Sequence, residues 1–493
     1  MLTSAGGQDL FVAKWSNSSR SFVWAQRAGG AQDDLAVALS VSGTSVYIAG
    51  SFMGTASFGP GIFTSVGTSD AFVAKLTDAG STGSFIWTQH LRGDSMPPSG
   101  NAISNSVTAL AIHGSTVYVT GYFSAEMHFG PTLTLYGNFT ATFVAQLTDA
   151  GPNSTFGWAL PAGGQVQAVA VVGTSVYIAG RFSLSASFGP FTLSVNSPNS
   201  PNAYIAKLTD NGTTAGFVWA QQMGGAGGDG AYALATSGND VYVAGYFRQT
   251  INFGSTTLTS AGSTDVFVAK FADSTAPGVY TWAQRAGGSG FDGAFALTVG
   301  GNAVYVAGYF SQTAQFGTTA LVANGTPYED AFVAKIVDTG GSSFTWAQQA
   351  GSPTADAALA VATTGSAVYV GGYITPIASF GSQTISGPTG NNIGFLAPLN
   401  DTNGLSTAPE SFAEALNLYP NPAHNRATIQ LPAIPGTTTA TLTVLDALGR
   451  PVRTQTAALN TKAELDLAGL PAGLYAVRVQ AGGSTATHRL VVE

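Results

Sequence analysis

The fold is decided by a short stretch, Phe72-Val73-Ala74-Lys75-Leu76-Thr77-Asp78-Ala79-Gly80, because most of the chain repeats it. Its first four residues recur, unchanged or with small changes, throughout the first 400 residues. The copies begin at Phe11, Phe72, Phe143, Tyr204, Phe267, Phe332 and Phe395. Successive copies begin 61 to 71 residues apart. Such regular spacing indicates a repeat architecture.

Three further signatures keep the same period: Trp-Ala-Gln, Val-Tyr-Val-Ala-Gly and Phe-Gly, each with near copies. The Trp-Ala-Gln copies begin at Trp24, Trp87, Trp158, Trp219, Trp282 and Trp346. The Val-Tyr copies centre on Tyr47, Tyr118, Tyr177, Tyr242, Tyr305 and Tyr369. The Phe-Gly copies begin at Phe58, Phe129, Phe188, Phe253, Phe316 and Phe380. Each signature is short, rich in β-branched and aromatic residues, and bounded by Gly, Ser, Asn or Asp, which is typical of a strand. Asp-x-Gly turns, as at Asp78 and Asp210, supply the positive φ that a hairpin needs.

One repeat therefore contains four strands: an Ala-rich strand, the Val-Tyr strand, the Phe-Val-Ala-Lys strand and the Trp strand. We expect an all-β fold in which residues 1–399 form a β-propeller of four-stranded blades. The absence of a 3.6-residue apolar period excludes a helical solenoid, and a stacked β-helix has a much shorter repeat. Seven blades are favoured, the first and last incomplete. The alternative is six, with the Trp24 strand completing the last blade.

The first blade begins without its inner strands, since Met1 aligns with Thr257 inside a later copy. Such a start would leave a sheet edge exposed, which favours aggregation. The first residues also have neither the basic nor the apolar region of a signal peptide. We therefore expect a natural start upstream, carrying a signal peptide and the missing strands.

Composition narrows the classes of function. Lys and Arg number 17 against 25 Asp and Glu, so the net charge is −8 and no basic surface is expected. Binding to nucleic acid or to an anionic membrane surface is therefore not expected. Hydrophobic residues make up 45%, enough for a buried core, but the apolar runs are too short to span a membrane. The absence of cysteine excludes disulfides and thiolate metal sites.

The pattern changes after Leu399. Residues 400–413 are interpreted as a linker, and residues 414–493 as a separate domain. Its period-2 apolar alternation predicts a small Ig-like antiparallel sandwich. Three motifs stand out in it: Tyr419-Pro420-Asn421-Pro422, the Asp-x-x-Gly turn from Asp446 to Gly449, and Leu470-Pro471-Ala472-Gly473-Leu474-Tyr475.

These motifs closely resemble, in the same order, the type A sorting domain of the type IX secretion system of Bacteroidetes. The resemblance implies export through the Sec pathway and then across the outer membrane by the type IX secretion machinery. The domain would be removed, and the remaining chain released or anchored at the cell surface. The motif residues carried over are Tyr419, Pro420, Asn421, Pro422, Asp446, Gly449, Leu470, Gly473 and Tyr475.

The repeats from Ala28 to Pro398 resemble the bacterial β-propeller repeat family of SBBP type. The shared pattern is a Gly-Gly-x-x-x-Asp turn, an Ala-rich strand, Val-Tyr-Val-x-Gly and then Asp-x-Phe-Val-Ala-Lys. That family carries no general enzymatic activity over to this chain.

Signals of catalysis are scarce. None of the five histidines lies in a His-Glu-x-x-His motif, and the chain has neither a Gly-x-Ser-x-Gly elbow nor a P-loop lysine. We therefore expect no catalytic residue and no cofactor. Asp34, Asp229, Asp292 and Asp356 recur in the Gly-rich loops, where they are expected to cap the loop. Structural calcium is the alternative, but one Asp per loop supplies few of the six to eight oxygens that calcium needs.

Five of the six lysines occupy one repeat position: Lys14, Lys75, Lys207, Lys270 and Lys335. Five residues earlier stands Asp9, Asp70, Asn202, Asp265 or Asp330. An odd separation places the two side chains on opposite faces of one strand. We expect each lysine to meet a polar partner across the interface between blades, with this Asp as the candidate. A ring of lysines that binds an anionic ligand is the alternative.

One insertion, from Met96 to Ser106, makes the longest repeat and is the best single candidate for a specific contact. The Arg92-Gly93-Asp94 tripeptide beside it aligns with an ordinary turn of another repeat, and its match to an integrin motif is interpreted as coincidence.

Taken together, the sequence predicts a secreted or cell-surface propeller without enzymatic activity, which binds a glycan or a protein through loops on one face. The alternatives are an extracellular polysaccharide-degrading enzyme and a structural component of a surface layer.

Overall fold

The computed structural model describes residues 2–93, 104–137, 140–195, 200–273, 277, 279–365, 367–381, 383–385, 392–401, 416–431, 437–446, 449–481 and 484–493. The chain divides into two compact units, Met1–Asp401 and Thr402–Glu493. All regular structure in the described ranges is β, as predicted. In these ranges no helix is long and apolar enough to cross a membrane.

The first compact unit consists of seven successive repeats, which we number repeat 1 to repeat 7. Repeat 1 has β1 (Leu10–Ser16) and β2 (Ser21–Gly30). Repeat 2 has β3 (Asp34–Ser42), β4 (Ser45–Phe52), β5 (Thr55–Phe58), β6 (Gly61–Thr64), β7 (Asp70–Asp78) and β8 (Gly83–Leu91). Repeat 3 has β9 (Ser106–His113), β10 (Thr116–Phe123), β11 (Glu126–Phe129), β12 (Leu133–Tyr136), β13 (Ala141–Asp149) and β14 (Ser154–Ala162).

The next three repeats follow the same plan. Repeat 4 has β15 (Gln165–Val172), β16 (Ser175–Phe182), β17 (Ser185–Phe188), β18 (Phe191–Ser194), β19 (Asn202–Asp210) and β20 (Ala215–Met223). Repeat 5 has β21 (Gly230–Ser237), β22 (Asp240–Phe247), β23 (Thr250–Phe253), β24 (Thr256–Thr259), β25 (Asp265–Ala272) and β26 (Tyr280–Gly288). Repeat 6 has β27 (Gly293–Gly300), β28 (Ala303–Ser311), β29 (Thr313–Phe316), β30 (Thr319–Val322), β31 (Glu329–Asp338) and β32 (Ser342–Gly351).

Repeat 7 has β33 (Ala357–Thr364), β34 (Ala367–Ile374), β35 (Ala378–Phe380), β36 (Gln383–Ile385) and β37 (Ile393–Asn400). Its sheet has three strands, in the order β33-β34-β37. β1 and β2 pair with each other and not with β37. The Trp24 strand therefore does not complete the sheet of repeat 7, whereas the six-blade alternative required it to do so.

In each of repeats 2 to 6, four strands pair antiparallel in the order Ala-rich, Val-Tyr, Phe-Val-Ala-Lys and Trp strand, for example β3-β4-β7-β8. In repeats 5 and 6 the hairpin of the following repeat extends this sheet to six strands. The Ala-rich strands of repeats 2 to 7 all line one cavity of about 650 Å³, which we call the central cavity; these strands are β3, β9, β15, β21, β27 and β33. The short hairpin that contains the Phe-Gly signature was not counted as a pair of strands by the sequence interpretation. In repeats 2, 6 and 7 this hairpin pairs with the Trp strand of the preceding repeat, as at Gly287 and Gln315.

Side chains of the Val-Tyr and Phe-Val-Ala-Lys strands alternate between the two faces of each sheet, and they form the apolar core between successive repeats. Residues of one parity on β25, such as Val268, face the following repeat, and residues of the other parity, such as Phe267, face the preceding one. Because both faces are covered, the Val-Tyr and Phe-Val-Ala-Lys strands are buried throughout repeats 2 to 6, as their two-sided apolarity predicted.

The second compact unit has β38 (Asn417–Tyr419), β39 (Arg426–Gln430), β40 (Thr439–Leu445), β41 (Pro451–Ala458), β42 (Lys462–Asp466), β43 (Gly473–Ala481) and β44 (Ser484–Val492). They form two antiparallel sheets, β38-β39-β42 and β41-β40-β43-β44, around an apolar core that includes Ile429, Leu442, Val477 and Leu490. β41 was not predicted, because it has one large apolar residue, Val452, and most of its other residues are exposed.

Candidate functional site

The lysines of the repeat do not form an open basic ring, because each one reaches a carboxylate of the following repeat. Between repeats 5 and 6, Lys270 Nζ lies 2.7 Å from Asp338 Oδ2. The Tyr242 hydroxyl donates to the same oxygen at 2.7 Å, and Trp282 Nε1 donates to Oδ1 at 3.1 Å. Three donors of one repeat thus converge on one carboxylate of the next. We call this arrangement the junction carboxylate.

The same arrangement recurs around the repeats. The junction carboxylates are Asp78, Asp149, Asp210, Asp273, Asp338 and Asp401. Five of them form an ion pair with a lysine of the preceding repeat: Lys14, Lys75, Lys207, Lys270 or Lys335. At the lysine position of repeat 3 stands Gln146. Asp401, which the sequence interpretation placed in the linker, therefore belongs to the first compact unit. The predicted contact of lysine across the interface is confirmed.

The partner expected for the lysine was wrong. Asp9, Asp70 and Asp265, five residues before the lysines, instead contact a cation or histidine of the adjacent strand: Arg27, His90 and Arg285. The true partner is the Asp six positions after the Phe or Tyr that opens the Phe-Val-Ala-Lys signature of the following repeat, and in repeats 2, 3, 4 and 6 this Asp begins an Asp-x-Gly turn. It was interpreted only as a turn residue, and it lies 64 to 74 positions away in the chain.

Hydrogen bonding decides the charge state of the junction carboxylates. Burial raises the pKa of Asp338, but the donors Lys270, Tyr242 and Trp282 outweigh it, and the net pKa lies below the ordinary value. The pKa of Asp149 is lowered for the same reasons. The junction carboxylates Asp338 and Asp149 are therefore held in their ionised form by the donors of the preceding repeat.

The aspartates of the Gly-rich loops cap those loops, as predicted. Asp292 accepts the Gly288 N–H at 2.7 Å and the Ser311 N–H at 3.2 Å, and Asp356 accepts the N–H groups of Ser352 and Thr375 in the same way. Asp34 and Asp229 repeat this pattern. Burial raises the pKa of Asp229 and of Asp292 to about 7.

Other candidates from the sequence do not assemble into a site. Within the described ranges, no three residues of the His, Asp and Glu types form a group that could hold a metal ion. His90 contacts Asp70, and His128 contacts Glu126 and Thr134 in another repeat. Most of the insertion from Met96 to Ser106, like Asp94 of the tripeptide, lies outside the described residues.

A continuous group of aromatic side chains lies beside the central cavity, and two of its members line that cavity. Tyr232 packs on Tyr246 and on Phe295, with ring centroids 5.7 Å apart in both pairs. Phe295 in turn packs on Tyr309 at 5.1 Å. Arg181 continues the group, because its Nη1 donates to the Tyr246 hydroxyl at 3.2 Å. We call these five residues the aromatic mouth.

Two strand positions build the aromatic mouth. Tyr232 and Phe295 are the third residues of β21 and β27 and line the cavity. Arg181, Tyr246 and Tyr309 directly follow the Ala-Gly of their Val-Tyr strands. At that position the six repeats that have it carry Ser51, Tyr122, Arg181, Tyr246, Tyr309 and Tyr373. Glycine leaves room for the rings: a Cβ at Gly293 would lie 2.8 Å from the Tyr309 hydroxyl.

The sequence interpretation missed the aromatic mouth. A signal was present in the Tyr-rich position directly after Val-Tyr-Val-Ala-Gly, but the sequence interpretation drew nothing from that position. All six residues at this position are half-buried. The aromatic group offers flat apolar faces with polar edges, which suits a ligand having both apolar and hydroxyl surfaces.

The motifs of the C-terminal unit occupy two places. Asn421 clamps the last strand, because its Nδ2 donates to the Arg489 carbonyl at 2.7 Å and its Oδ1 accepts the Val491 N–H at 2.9 Å. Tyr419 is exposed, and Tyr419-Pro420 and Asn421-Pro422 are cis peptide bonds. The clamp ties the first motif to the end of the chain.

The other two motifs meet at a second place. Asp446 accepts the Arg450 backbone N–H at 2.9 Å, and Gly449 has a φ of 78° that favours glycine. The Tyr475 hydroxyl donates to the Pro471 carbonyl at 2.9 Å. The turn and the third motif, including Leu470 and Gly473, line one cavity of about 410 Å³.

Comparison with known proteins assigns this second compact unit. No curated protein matches the chain. Residues 417–493 match the family described as the secretion system C-terminal sorting domain. The match confirms the type IX sorting domain predicted from the three motifs, and it implies export of the chain to the cell surface or beyond. The chain thus carries, at residues 417–493, a sorting domain of the type IX secretion system.

Proposed function

We propose that residues 1–401 form a seven-bladed β-propeller that binds a neutral glycan at the aromatic mouth, outside the cell and without catalysis. The observation that carries this proposal is the run Arg181–Tyr246–Tyr232–Phe295–Tyr309, which crosses three repeats at the entrance of the central cavity. The sorting domain supports the location, since it directs the chain out of the cell.

The propeller geometry is supported by the contacts between repeats. Six inner strands line one cavity, and Asn17 of repeat 1 donates a hydrogen bond to the Tyr369 hydroxyl of repeat 7. Asn17 occupies the position of the junction carboxylates and Tyr369 that of the donating tyrosine, so the last and first repeats are joined by the tyrosine contact that also joins repeats 2 to 7. Seven similar junctions around one cavity are what a closed ring of blades requires.

The ligand class follows from the chemistry of the mouth. Tyrosine and phenylalanine rings stack on the apolar faces of sugar rings, and the tyrosine hydroxyls and Arg181 can bond to sugar hydroxyls. Only 9% of the residues are charged and the net charge is −8, so a strongly anionic polymer is disfavoured. Burial raises the pKa of Tyr232 and of Tyr309, which therefore stay neutral donors at physiological pH.

A polysaccharide-degrading enzyme remains the alternative, and the carboxylates near the cavity argue against it. Glycoside hydrolysis needs two carboxyl groups that reach the substrate. Asp292, Asp330 and Asp356 are fully buried and accept backbone N–H groups. A purely structural surface-layer role would leave the aromatic mouth without a ligand.

The test is a screen of immobilised neutral and acidic glycans with the chain and with a Tyr232→Ala, Phe295→Ala double variant. We expect binding to a neutral glycan that weakens at least tenfold in the double variant. The matched control removes two aromatic residues outside the mouth, Phe22→Ala and Tyr136→Ala, which are 60% and 76% exposed. Equal loss in both double variants, or no glycan binding at all, would contradict the proposal. Release of reducing ends from the bound glycan would favour the enzyme.

A further inference from the structure

Glu329 lies at the end of the aromatic mouth that is opposite Arg181. The run of contacts that begins at Arg181 ends at Tyr309 of repeat 6, and Glu329 is the first residue of β31 in the same repeat. At the repeat position of Glu329 every other copy has an uncharged residue: Gln8, Ser69, Thr140, Pro201, Thr264 or Asn392. The acidic side chain is therefore particular to this one repeat.

The pairing of β28 with β31 places Glu329 beside Tyr309. Tyr309 pairs with Ala331 and Ser311 pairs with Glu329, so Glu329 is a diagonal neighbour of Tyr309 on the same face of the sheet. That face packs against repeat 7, because Ala331 shares its apolar cluster with Ala358 and Val368 of that repeat. The carboxylate thus lies between the last ring of the aromatic mouth and repeat 7.

Tyr373 of repeat 7 completes the surroundings of this carboxylate. Burial raises the pKa of Tyr309 and of Tyr373, and the negative charge of Glu329 adds to the rise in both. The carboxylate is therefore close to both tyrosines. We call Glu329, Tyr309 and Tyr373 the acidic end of the aromatic mouth.

No cation of the described part of the chain neutralises the acidic end. Glu329 is half-buried, and among the described residues its carboxylate has no hydrogen bond or ion pair. Gln349 stands where repeats 1 and 5 have Arg27 and Arg285, and its side chain bonds to the backbone of Val322 instead. A half-buried charge without a partner is costly, so this place favours a ligand that brings the opposite charge.

We propose that the acidic end binds the primary ammonium group of an amino sugar within an otherwise neutral glycan. The inference rests on the proposed function, because the aromatic mouth would hold the other sugars of the same glycan. A carboxylate beside two tyrosine rings attracts an ammonium ion, whose three N–H groups can donate to the carboxylate and the hydroxyls while the charge lies near a ring.

The charges of the chain favour one direction of binding. The net charge of −8 attracts a cationic group more than an anionic one. Arg181 at the far end of the aromatic mouth repels an ammonium group, whereas Glu329 attracts it. The amino sugar is therefore assigned to repeat 6, and the neutral sugars extend from there toward repeat 4.

The test compares two forms of one probe: the hexasaccharide of N-acetylglucosamine, and the same hexasaccharide with a free amine on its non-reducing terminal sugar. Dissociation constants are measured by calorimetry for the chain, for Glu329→Gln and for the Tyr232→Ala, Phe295→Ala double variant. Glu464→Gln is the matched control, because it removes the same charge from a side chain of the second compact unit that is 54% exposed. Melting temperatures check that each variant is folded.

We expect the chain to bind the amine form at least tenfold more tightly than the fully acetylated form. Glu329→Gln should bring the ratio of the two dissociation constants to about one, whereas Glu464→Gln should keep the tenfold preference. Equal affinities for the two forms in the chain without substitutions would overturn the inference. A tenfold preference that survives Glu329→Gln would do the same.

The double variant separates this inference from the proposed function. It should bind both forms more weakly, because both use the aromatic mouth. If it weakens both forms while the chain without substitutions shows no preference for the amine, the inference alone fails. If it binds both forms as tightly as the chain without substitutions, the proposed function fails. Binding of neither form would overturn both.

Discussion

The side-chain amide of Asn17 donates a hydrogen bond to the hydroxyl of Tyr369, 352 positions later in the chain. Asn17 stands where the other repeats have the junction carboxylate, and Tyr369 stands where they have the donating tyrosine. The first and last repeats are therefore joined by the tyrosine contact that also joins each successive pair from repeat 2 to repeat 7. The absence of charge at Asn17 matches the loss of lysine at Pro398, since a carboxylate there would have no cation to meet.

Replacing Lys270 with methionine should destabilise the first compact unit by about 3 kcal/mol, because Asp338 and Asp240 both lose the lysine that they contact. Thermal or denaturant unfolding measures the change. Lys14→Met is the matched control, since that lysine is more exposed and its loss should cost less than about 1 kcal/mol. Equal effects of the two substitutions would show that burial does not set the strength of these contacts.

Replacing Gln146 with lysine should stabilise the protein by about 1 kcal/mol. Gln146 contacts Thr148 rather than Asp210, and its buried Oε1 has no hydrogen-bond partner in the described part of the chain. A lysine there should reach Asp210, as Lys75 reaches Asp149. The reverse change at the same position of repeat 4, Lys207→Gln, should destabilise the protein. A lower melting temperature for Gln146→Lys would show that the site cannot accept the longer side chain.

The loop carboxylates should make stability fall as the pH rises from about 4 to 7. Burial raises the pKa of Asp292 to about 7, with Asp265 adding to the rise, whereas an unfolded Asp titrates near 3.9. The folded state therefore binds this proton more tightly, so its contribution is complete below pH 4 and is lost by about pH 7. Asp292→Asn, which copies Asn105 of repeat 3, should reduce the slope of melting temperature between pH 5 and 8. An unchanged slope would assign the dependence to other groups.

Removing divalent cations should leave the melting temperature unchanged. The oxygens of Asp34, Asp229, Asp292 and Asp356 point at backbone N–H groups, and a cation cannot share these positions with such donors. The melting temperature is measured with EDTA, with added calcium and with neither. A melting temperature that falls by several degrees with EDTA and is restored by calcium would support a structural calcium ion.

Replacing Asn421 with alanine should reduce export, because both hydrogen bonds that clamp the end of β44 are lost. The change costs about 1 kcal/mol per bond and loosens the domain that the export machinery recognises. The amount of chain outside cells with a working type IX system, relative to the amount inside, measures the effect. Gln480→Ala, at an exposed residue of β43 away from the first motif, is the control and should export normally. Equal export of both variants would place recognition elsewhere in the domain.

Local pattern was sufficient for most of the fold. Period, strand composition and Asp-x-Gly turns predicted the strands of every repeat, because an extended segment flanked by turn residues depends on its immediate neighbours. The regular spacing of Lys75, Lys207 and Lys270 also indicated a shared contact across repeats. The short Phe-Gly hairpins were not predicted as paired strands, since four residues carry too little pattern.

The partners of those lysines and the aromatic mouth were decided only in the folded chain. Asp149 meets Lys75 because the end of one strand lies over the middle of another, and that placement depends on how two sheets pack. Tyr232 and Phe295 share a repeat position with Val37, Thr108, Gln167 and Leu359, so no repeated letter marks them. They form a group because neighbouring repeats converge on one cavity, and convergence is a property of the three-dimensional arrangement that no single repeat contains.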